Sequence, residues 1–440
     1  MKRGIVFSVS AIEMPGKIVV SCQKNVEGMK QKMKALVLAG GLPQIELIKQ
    51  LKARNITTVL ADGNPNALAR PYADVFYQLA IFDVEAVKEV ALKEKVDFLI
   101  TVCADQVLLV VAQVSEMLGL PWYIDYKTAQ LVSDKKEMKK IFWENHIPTS
   151  RYVEMDELDW NKIAHLEYPL VVKPVDAYSS KGVRKALNSE ELAVYFAEAA
   201  QISRTGGVIV EEFVAGDEIS VDIYVEDGVA KLLCVSNSEK INNADRFIIF
   251  RGRYPVAASA EILEQIQNVA QQIADAFGLK NCPMLIQMIN DGKRVSVLEF
   301  CARTGGNMKY LLIKRSCGFD VIKAVIDLTL GEKPHVELTA PEAKYIVNDF
   351  IYCKPGVYDR LEGFEELRQE GILADYYSLR PQGMCVSGVS SSSDRIAGIT
   401  VVADTLEEFN RRHRIIVDSV KIIDSEGNDI MRHDLLPDLV

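Results

Sequence analysis

No stretch of this chain is apolar for long enough to cross a bilayer. The longest apolar runs are strand-sized, about five to seven residues, against the ~18 that a spanning helix needs. Histidine is scarce, with 5 in 440 residues (146, 165, 335, 413, 433), and no two stand at the HxH, HxxxH or HExxH spacing of zinc or histidine acid–base sites. The 8 cysteines (22, 103, 234, 282, 301, 317, 353, 385) include no CxxC pair, which argues against a disulfide framework and a zinc site and suits a reducing cytoplasm. There is no GxSxG elbow and no repeat of 20–50 residues. The beginning, Met1-Lys2-Arg3-Gly4-Ile5, lacks the continuous apolar stretch and small-residue cleavage site of a signal peptide. A net charge of -10 gives no reason to expect bulk nucleic-acid binding. The absences leave a cytoplasmic protein that engages neither membrane nor nucleic acid.

What remains has the make-up of an ordinary globular chain, 49% apolar and 25% charged, and 440 residues imply two to four domains. Residues 1–32 read as a loosely attached extension or an added edge strand, with Met33 as a second possible beginning. From Lys34 the chain alternates strand and helix. Ala35 to Ala39 is a short buried strand, Gly40-Gly41 turns it, and Ile45, Ile48 and Leu51 share one face of the helix that follows. Thr57 to Leu60 is the next strand, Asp83 can cap a helix running to about Lys95, and Asp97 to Val102 is another strand. Short links between such units predict a parallel, doubly wound sheet. The glycine turn invites a dinucleotide reading with Asp62 as ribose ligand, but Leu42 and Ile45 occupy the other two glycine positions of that fingerprint.

A lysine-rich helix opens at Ser133-Asp134-Lys135 and ends before Pro148; strands and hairpins then dominate to about Gly331. Asp227-Gly228 and Asp291-Gly292 sit between apolar strands as hairpin turns. A third, α+β region follows Pro334, with a mobile loop expected at Ser387 to Ser393.

Three strings stand in a telling order: Val171-Val172-Lys173-Pro174, then Val210-Glu211-Glu212-Phe213-Val214, then Val297-Leu298-Glu299-Phe300-Cys301-Ala302-Arg303-Thr304-Gly305-Gly306. Between the first two, the polar loop Asp176 to Val183 is either a phosphate cradle of backbone N–H groups and hydroxyls or a solvated hairpin. In this order and spacing, from about residue 34 to 400, the chain resembles the ATP-grasp ligases, in the lineage of carbamoyl-phosphate-synthase-like and carboxylate–amine-ligase-like enzymes. The resemblance implies an α/β and α+β chain: a Rossmann-like domain (33–127), a two-subdomain ATP-grasp fold (128–206 with the phosphate loop, 207–332 with the adenine and metal sites) and a C-terminal α+β cap (333–440).

It also implies roles. Lys135 and Lys173 would hold nucleotide phosphates, with Lys139 a rival to Lys135; Ser179, Ser180, Gly182 and Val183 would form the loop over them, in a stretch poorer in glycine than the family's usual one. Glu211 would accept from the adenine amino group, the backbone of Glu212, Phe213 and Val214 would complete that edge, and Glu218 would take the ribose hydroxyls. Gln287 and Glu299 would hold Mg2+ (or Mn2+). Facing strands put those two on one side only if their loop has an odd residue count, and a three-residue loop Asp291-Gly292-Lys293 would set Gln287 opposite Val297, one pleat repeat from Glu299. Cys301 stands where the family has an asparagine ligand for the second metal, and Arg303 would stabilise the transferred phosphate or bind the substrate carboxylate. The chemistry implied is ATP-driven activation of a small-molecule carboxylate as an acyl phosphate for attack by an amine, or less often a thiol, in a chain that pairs as a homodimer like many relatives. A non-catalytic ATP sensor and an NAD-dependent enzyme are the competing readings. Lys240, Arg251 and Arg253 either meet an anionic substrate or face solvent.

Overall fold

Uninterrupted apolar residues from Ala35 to Leu38 need cover on both faces, and they obtain it in the centre of a parallel sheet. In the computed structural model, which describes residues 32–177, 181–241 and 246–439, this sheet comprises β1 (Lys34–Leu38), β2 (Thr57–Asp62), β3 (Val75–Gln78) and β4 (Phe98–Ile100) in the order β3-β2-β1-β4. The expected extension up to Gln31, and Ser179 and Ser180, lie outside the described residues. Helix α1 (Leu42–Ala53) begins with Pro43 in its first turn, where no N–H is needed, and buries Leu47, Ile48 and Leu51; Ile45 is only partly covered. Helix α2 (Val84–Glu94) is capped as its sequence indicates, the Asp83 carboxylate accepting from Ala86 N at 3.1 Å. Helix α3 (Asp105–Leu118) turns Val107, Val110, Val111 and Val114 inward. After α4 (Tyr126–Ser133), Asp134 caps α5 (Lys135–Glu144).

A small antiparallel sheet follows, β5 (Tyr152–Met155), β6 (Leu170–Pro174), β7 (Arg184–Ala186) and β8 (Val208–Glu212), ordered β5-β8-β6-β7. Strand β6 ends at its proline, so Lys173 sits at the rim, opposite Ile209. The larger sheet contains β9 (Asp217–Glu226), β10 (Val229–Lys240), β11 (Ile249–Tyr254), β12 (Cys282–Asn290), β13 (Val295–Cys301) and β14 (Tyr345–Ile351). Strands β9 and β10 are joined by Asp227-Gly228, both at positive φ (47° and 86°), the two-residue turn that matches strand twist. The remaining strands are β15 (Gly356–Glu362), β16 (Asp375–Ser378), β17 (Cys385–Val386), β18 (Ala397–Ala403) and β19 (Lys421–Asp424). The eight-stranded order is β13-β12-β9-β10-β11-β14-β18-β16, and β17-β15-β19 form a separate small sheet. The ladder therefore crosses the expected boundary at 332/333 through the pairing of β11 with β14. No described helix is long and apolar enough to cross a membrane.

Three expectations are corrected. The β12–β13 loop has four residues, since Asn290 pairs with Val295 and Asp291 N bonds to Arg294 O at 3.1 Å. The Asp291 carboxylate favours that length by accepting from Lys293 N and Arg294 N, at 2.8 and 2.7 Å. An even loop would turn Gln287 and Glu299 to opposite faces, but a bulge at Leu298 advances the register by one and pairs Gln287 directly with Glu299. Second, Arg251 meets neither substrate nor solvent: it is fully buried, its Nε 2.5 Å from Asp349 Oδ1 and its Nη2 donating to Pro437 O at 2.8 Å. Third, the serine run is built in rather than loose. Asp394 accepts from the backbone of Ser390 and Ser391, each at 2.8 Å, and Ser391 and Ser392 are buried.

Candidate functional site

The rims of β6, β8, β9, β12 and β13 converge on a cleft of about 520 Å³. Lys135, Lys173, Val183, Glu211, Glu212, Phe213, Val214, Glu218, Gln287 and Glu299 all line it, so ten of the residues singled out in the sequence meet although they are scattered over 165 positions, from 135 to 299. Val171, Ile241, Ile289, Leu298 and Phe247 supply apolar wall, and the Phe213 and Phe247 rings stack with centroids 6.3 Å apart. Lysines stand over both rings, Lys185 Nζ 3.9 Å from the Phe213 centroid and Lys240 Nζ 5.2 Å from that of Phe247, so the cleft mixes apolar wall with positive charge.

Lys135 Nζ lies 3.2 Å from Glu299 Oε2 and donates to Ala177 O at 2.6 Å. Burial works against its charge, but Glu299 more than compensates and leaves the ammonium harder to deprotonate than usual. Glu211 is nearly enclosed: its Oε1 accepts from Lys173 Nζ at 2.5 Å, and its Oε2 from Lys139 Nζ and Ser150 Oγ, each at 2.8 Å. Burial alone would raise its pKa, yet the two ammoniums hold it down, to about 2. Lys139 is not on a solvated face, nor does it enter the cleft; it lies buried behind Glu211. Glu218 accepts from Gln287 Nε2 at 3.1 Å and pairs with Lys240 Nζ at 2.8 Å. Gly182 stands at φ +74° with Pro174 so close that a Cβ would approach its Cγ to 3.0 Å; it brings the loop down onto the end of β6 without lining the cleft.

Lys135, Gln287 and Glu299 also border a second cavity of about 570 Å³, between the parallel sheet and the large one, and Cys301 and Arg303 line this one instead. Arg303 donates through Nε to Asp105 Oδ1 at 2.5 Å and through Nη1 to Thr304 O at 2.6 Å. The Cys301 thiol bonds to the same Asp105 carboxylate, and burial, foremost, keeps it protonated. Asp105 itself is held below the ordinary carboxylate range: burial opposes this, and Arg303 decides it.

Sequence reading missed two groups here. Asp105 opens α3, 198 residues from Arg303, and nothing in its surroundings marks the pairing. Lys309 reaches the second cavity, donating to Ser236 Oγ at 2.8 Å and standing 3.4 Å from Asp222; its stem passes over Gly305, where a Cβ would lie 2.7 Å from Lys309 Cγ. That clash explains the glycine, and a lysine six positions past Arg303 was the available signal. Asp62 is occupied structurally, accepting from Gly40 N and Asn64 N at 2.7 Å each, which leaves the ribose role of the dinucleotide reading without support.

The chain is similar to known proteins. The ATP-grasp domain family matches residues 166–310. The formate-dependent phosphoribosylglycinamide formyltransferase of Shewanella frigidimarina is 29% identical over 257 residues, 56% of this chain; the chain spans 62% of that relative's length. The 3-methyl-D-ornithine--L-lysine ligase of Methanosarcina acetivorans is 30% identical over 323 residues, covering 72% of this chain and 80% of the relative. The crystal structure of the L-amino acid ligase of Bacillus licheniformis superposes with a TM-score of 0.75 at 21% identity, over 90% of this chain and all of that one, which establishes a common fold. With the ATP-grasp domain matched within it and a relative 30% identical over most of its length, the chain belongs to the ATP-grasp superfamily.

Proposed function

We propose that this protein uses ATP to join a carboxylate to an amine. A carboxylate oxygen attacks the γ-phosphorus, the β–γ anhydride bond breaks, and ADP leaves; the amine nitrogen then attacks the acyl carbon, loses its proton, and phosphate departs with the C–O bonding pair. The observation that carries this reading is the junction of the two cavities at Lys135, Gln287 and Glu299, which lets a nucleotide in one meet an acid in the other.

In this reading Glu211 and the chain from Glu212 to Val214 receive adenine, Glu218 the ribose hydroxyls, and Lys135 and Lys173 the phosphates, with Ser179, Ser180, Gly182 and Val183 as further phosphate contacts. Arg303 keeps N–H groups beyond those given to Asp105 and Thr304, and offers them to the transferred group. The donor set fits magnesium. Gln287 and Glu299 present hard oxygens side by side, and no group of three or more His, Cys, Asp and Glu is assembled among the described residues, in keeping with an ion that relies on nucleotide phosphates for its other ligands. Bound there, magnesium would neutralise phosphate charge as the γ-group moves. The four-stranded parallel sheet supports a Rossmann-like domain at 33–127, the small sheet a subdomain within 128–206 completed by β8, and strands β9 to β13 the metal-bearing subdomain within 207–332, with 333–440 as cap.

Cys301 departs from this scheme, because a protonated thiol is a poor ligand for a hard cation. Cys301→Asn is expected to lower the magnesium concentration for half-maximal turnover several-fold; an unchanged or higher requirement places Cys301 outside the second-metal position. The reading as a whole is tested by measuring phosphate release with ATP and magnesium over pairs of amino acids and small dicarboxylates. Acid- and amine-dependent release is expected, whereas tight ATP binding without turnover on any pair would make the protein a sensor.

A further inference from the structure

Lys139 follows Lys135 by one helical turn, on the same face of α5, yet the two do different things. Lys135 enters the cleft, and Lys139 stops beneath it, 2% exposed. Its ammonium donates to Thr149 Oγ1 at 2.6 Å and Ser150 Oγ at 3.1 Å and pairs with Glu211 Oε2 at 2.8 Å, so all three N–H groups are committed and none is left for a ligand. Lys173 takes the other oxygen of Glu211 from β6. Two cations thus share one buried carboxylate, and the surplus positive charge lies directly behind the wall on which a nucleotide would rest.

We propose that Lys139 is a positioning residue of the nucleotide site: it holds Glu211 from behind, lends the site its surplus charge, and weakens ATP binding when it gives up its proton. The proposal rests on the ATP site argued above. With Lys139 neutral, Lys173 and Glu211 balance each other, Glu211 Oε2 keeps only Ser150 as a donor, and the phosphates meet one positive charge fewer. Burial is the main force on this lysine, repulsion from Lys173 adds to it, and attraction to the shared Glu211 restores part of the loss; its pKa falls to about 8. The charged and titratable neighbours facing it are Glu211 on β8, Lys173 on β6, Tyr152 on β5 with its ring centroid 5.7 Å away, and Glu299 on β13 at longer range. Glu211 stays ionised above about 2, and burial pushes Tyr152 above the ordinary phenol range, so neither accounts for a change near neutrality.

The test measures ATP affinity by titration calorimetry between about pH 7 and 9.5, with magnesium and without any acid substrate. For the unaltered protein a weakening of roughly tenfold is expected, in one step centred near pH 8. Lys139→Met should bind as weakly at neutral pH as the unaltered protein does at high pH, with a flat profile, and Lys139→Arg should be flat and tight. Denaturant unfolding of the free protein distinguishes this from a structural role. Unfolded lysine titrates near 10.5, so between about 8 and 10.5 the unfolded chain binds more protons and this group's contribution to stability rises with pH while affinity falls. ATP affinity that does not vary with pH overturns the proposal, as does a folded Lys139→Met that binds like the unaltered protein. If that variant does not fold, the pH profile of the unaltered protein decides, read against the lysine's own titration by NMR. Absence of ATP binding at every pH overturns the ATP reading itself.

Discussion

Glu299→Gln is expected to leave the fold intact and lower turnover by about a hundredfold or more, several kcal/mol of lost charge stabilisation. The substitution is nearly isosteric and the residue is partly exposed, two residues before the end of β13, so little packing is disturbed. What goes is the negative charge that both pairs with Lys135 and, in the proposed site, joins Gln287 in holding the cation. The expected signature is a large fall in kcat with a smaller change in ATP affinity, measured by phosphate release on the pair found in the substrate screen. Unimpaired turnover would remove Glu299 from the metal site.

Glu211→Gln is expected to act on stability instead. It leaves Lys139 and Lys173 facing each other in a buried cluster with no counter-charge, a situation that costs about 3–5 kcal/mol. Denaturant melts at neutral pH read this directly. The sign with pH follows from the depressed carboxyl. The stability that Glu211 contributes is complete above its ordinary value near 4.5 and is lost as pH falls toward about 2, so the deficit of the variant should shrink on acidification. A deficit that stays constant down to about pH 3 would show that charge at this position does not stabilise the fold.

Local chemistry made much of the fold legible. Asp83 stands before a helix because its carboxylate satisfies a free N–H, and Asp227-Gly228 turns a hairpin because both residues tolerate positive φ. The order of Lys173, Glu211, Glu218, Gln287 and Glu299 was readable through its likeness to the ATP-grasp ligases rather than from local chemistry; Lys173 and Glu211 stand near the ends of their strands, but Gln287 sits inside β12 between Ile286 and Met288. Long-range geometry was not legible. A bulge at Leu298 depends on how a distant segment docks, with Val297 N bonded to Pro148 O at 2.7 Å, and alternation within β12 and β13 carries no trace of it. Lys139 reads in the sequence as a rival to Lys135, one lysine among several on the same helix, and its burial follows from Thr149, Ser150 and Glu211 closing over it. Arg303 pairs with Asp105 across 198 residues although Glu299 stands four positions before it, and nothing local to either partner marks that choice.

The pairing of β11 with β14 bears on how the molecule moves. Backbone pairing joins every strand from β13 to β16, bulges included, into one sheet, so the β12–β13 hairpin and the C-terminal strands are coupled to each other. The sheet β5-β8-β6-β7 shares no such ladder with it. It is tied there by a bridge at Thr149 and Val297 and by the passage from Phe213 to Gly216, where φ reaches +140° and a Cβ would lie 2.4 Å from Asn290 O. In the proposed reading, closing over a nucleotide would be a swing of the small sheet, carrying Lys173 and Glu211, against the sheet that carries Gln287 and Glu299.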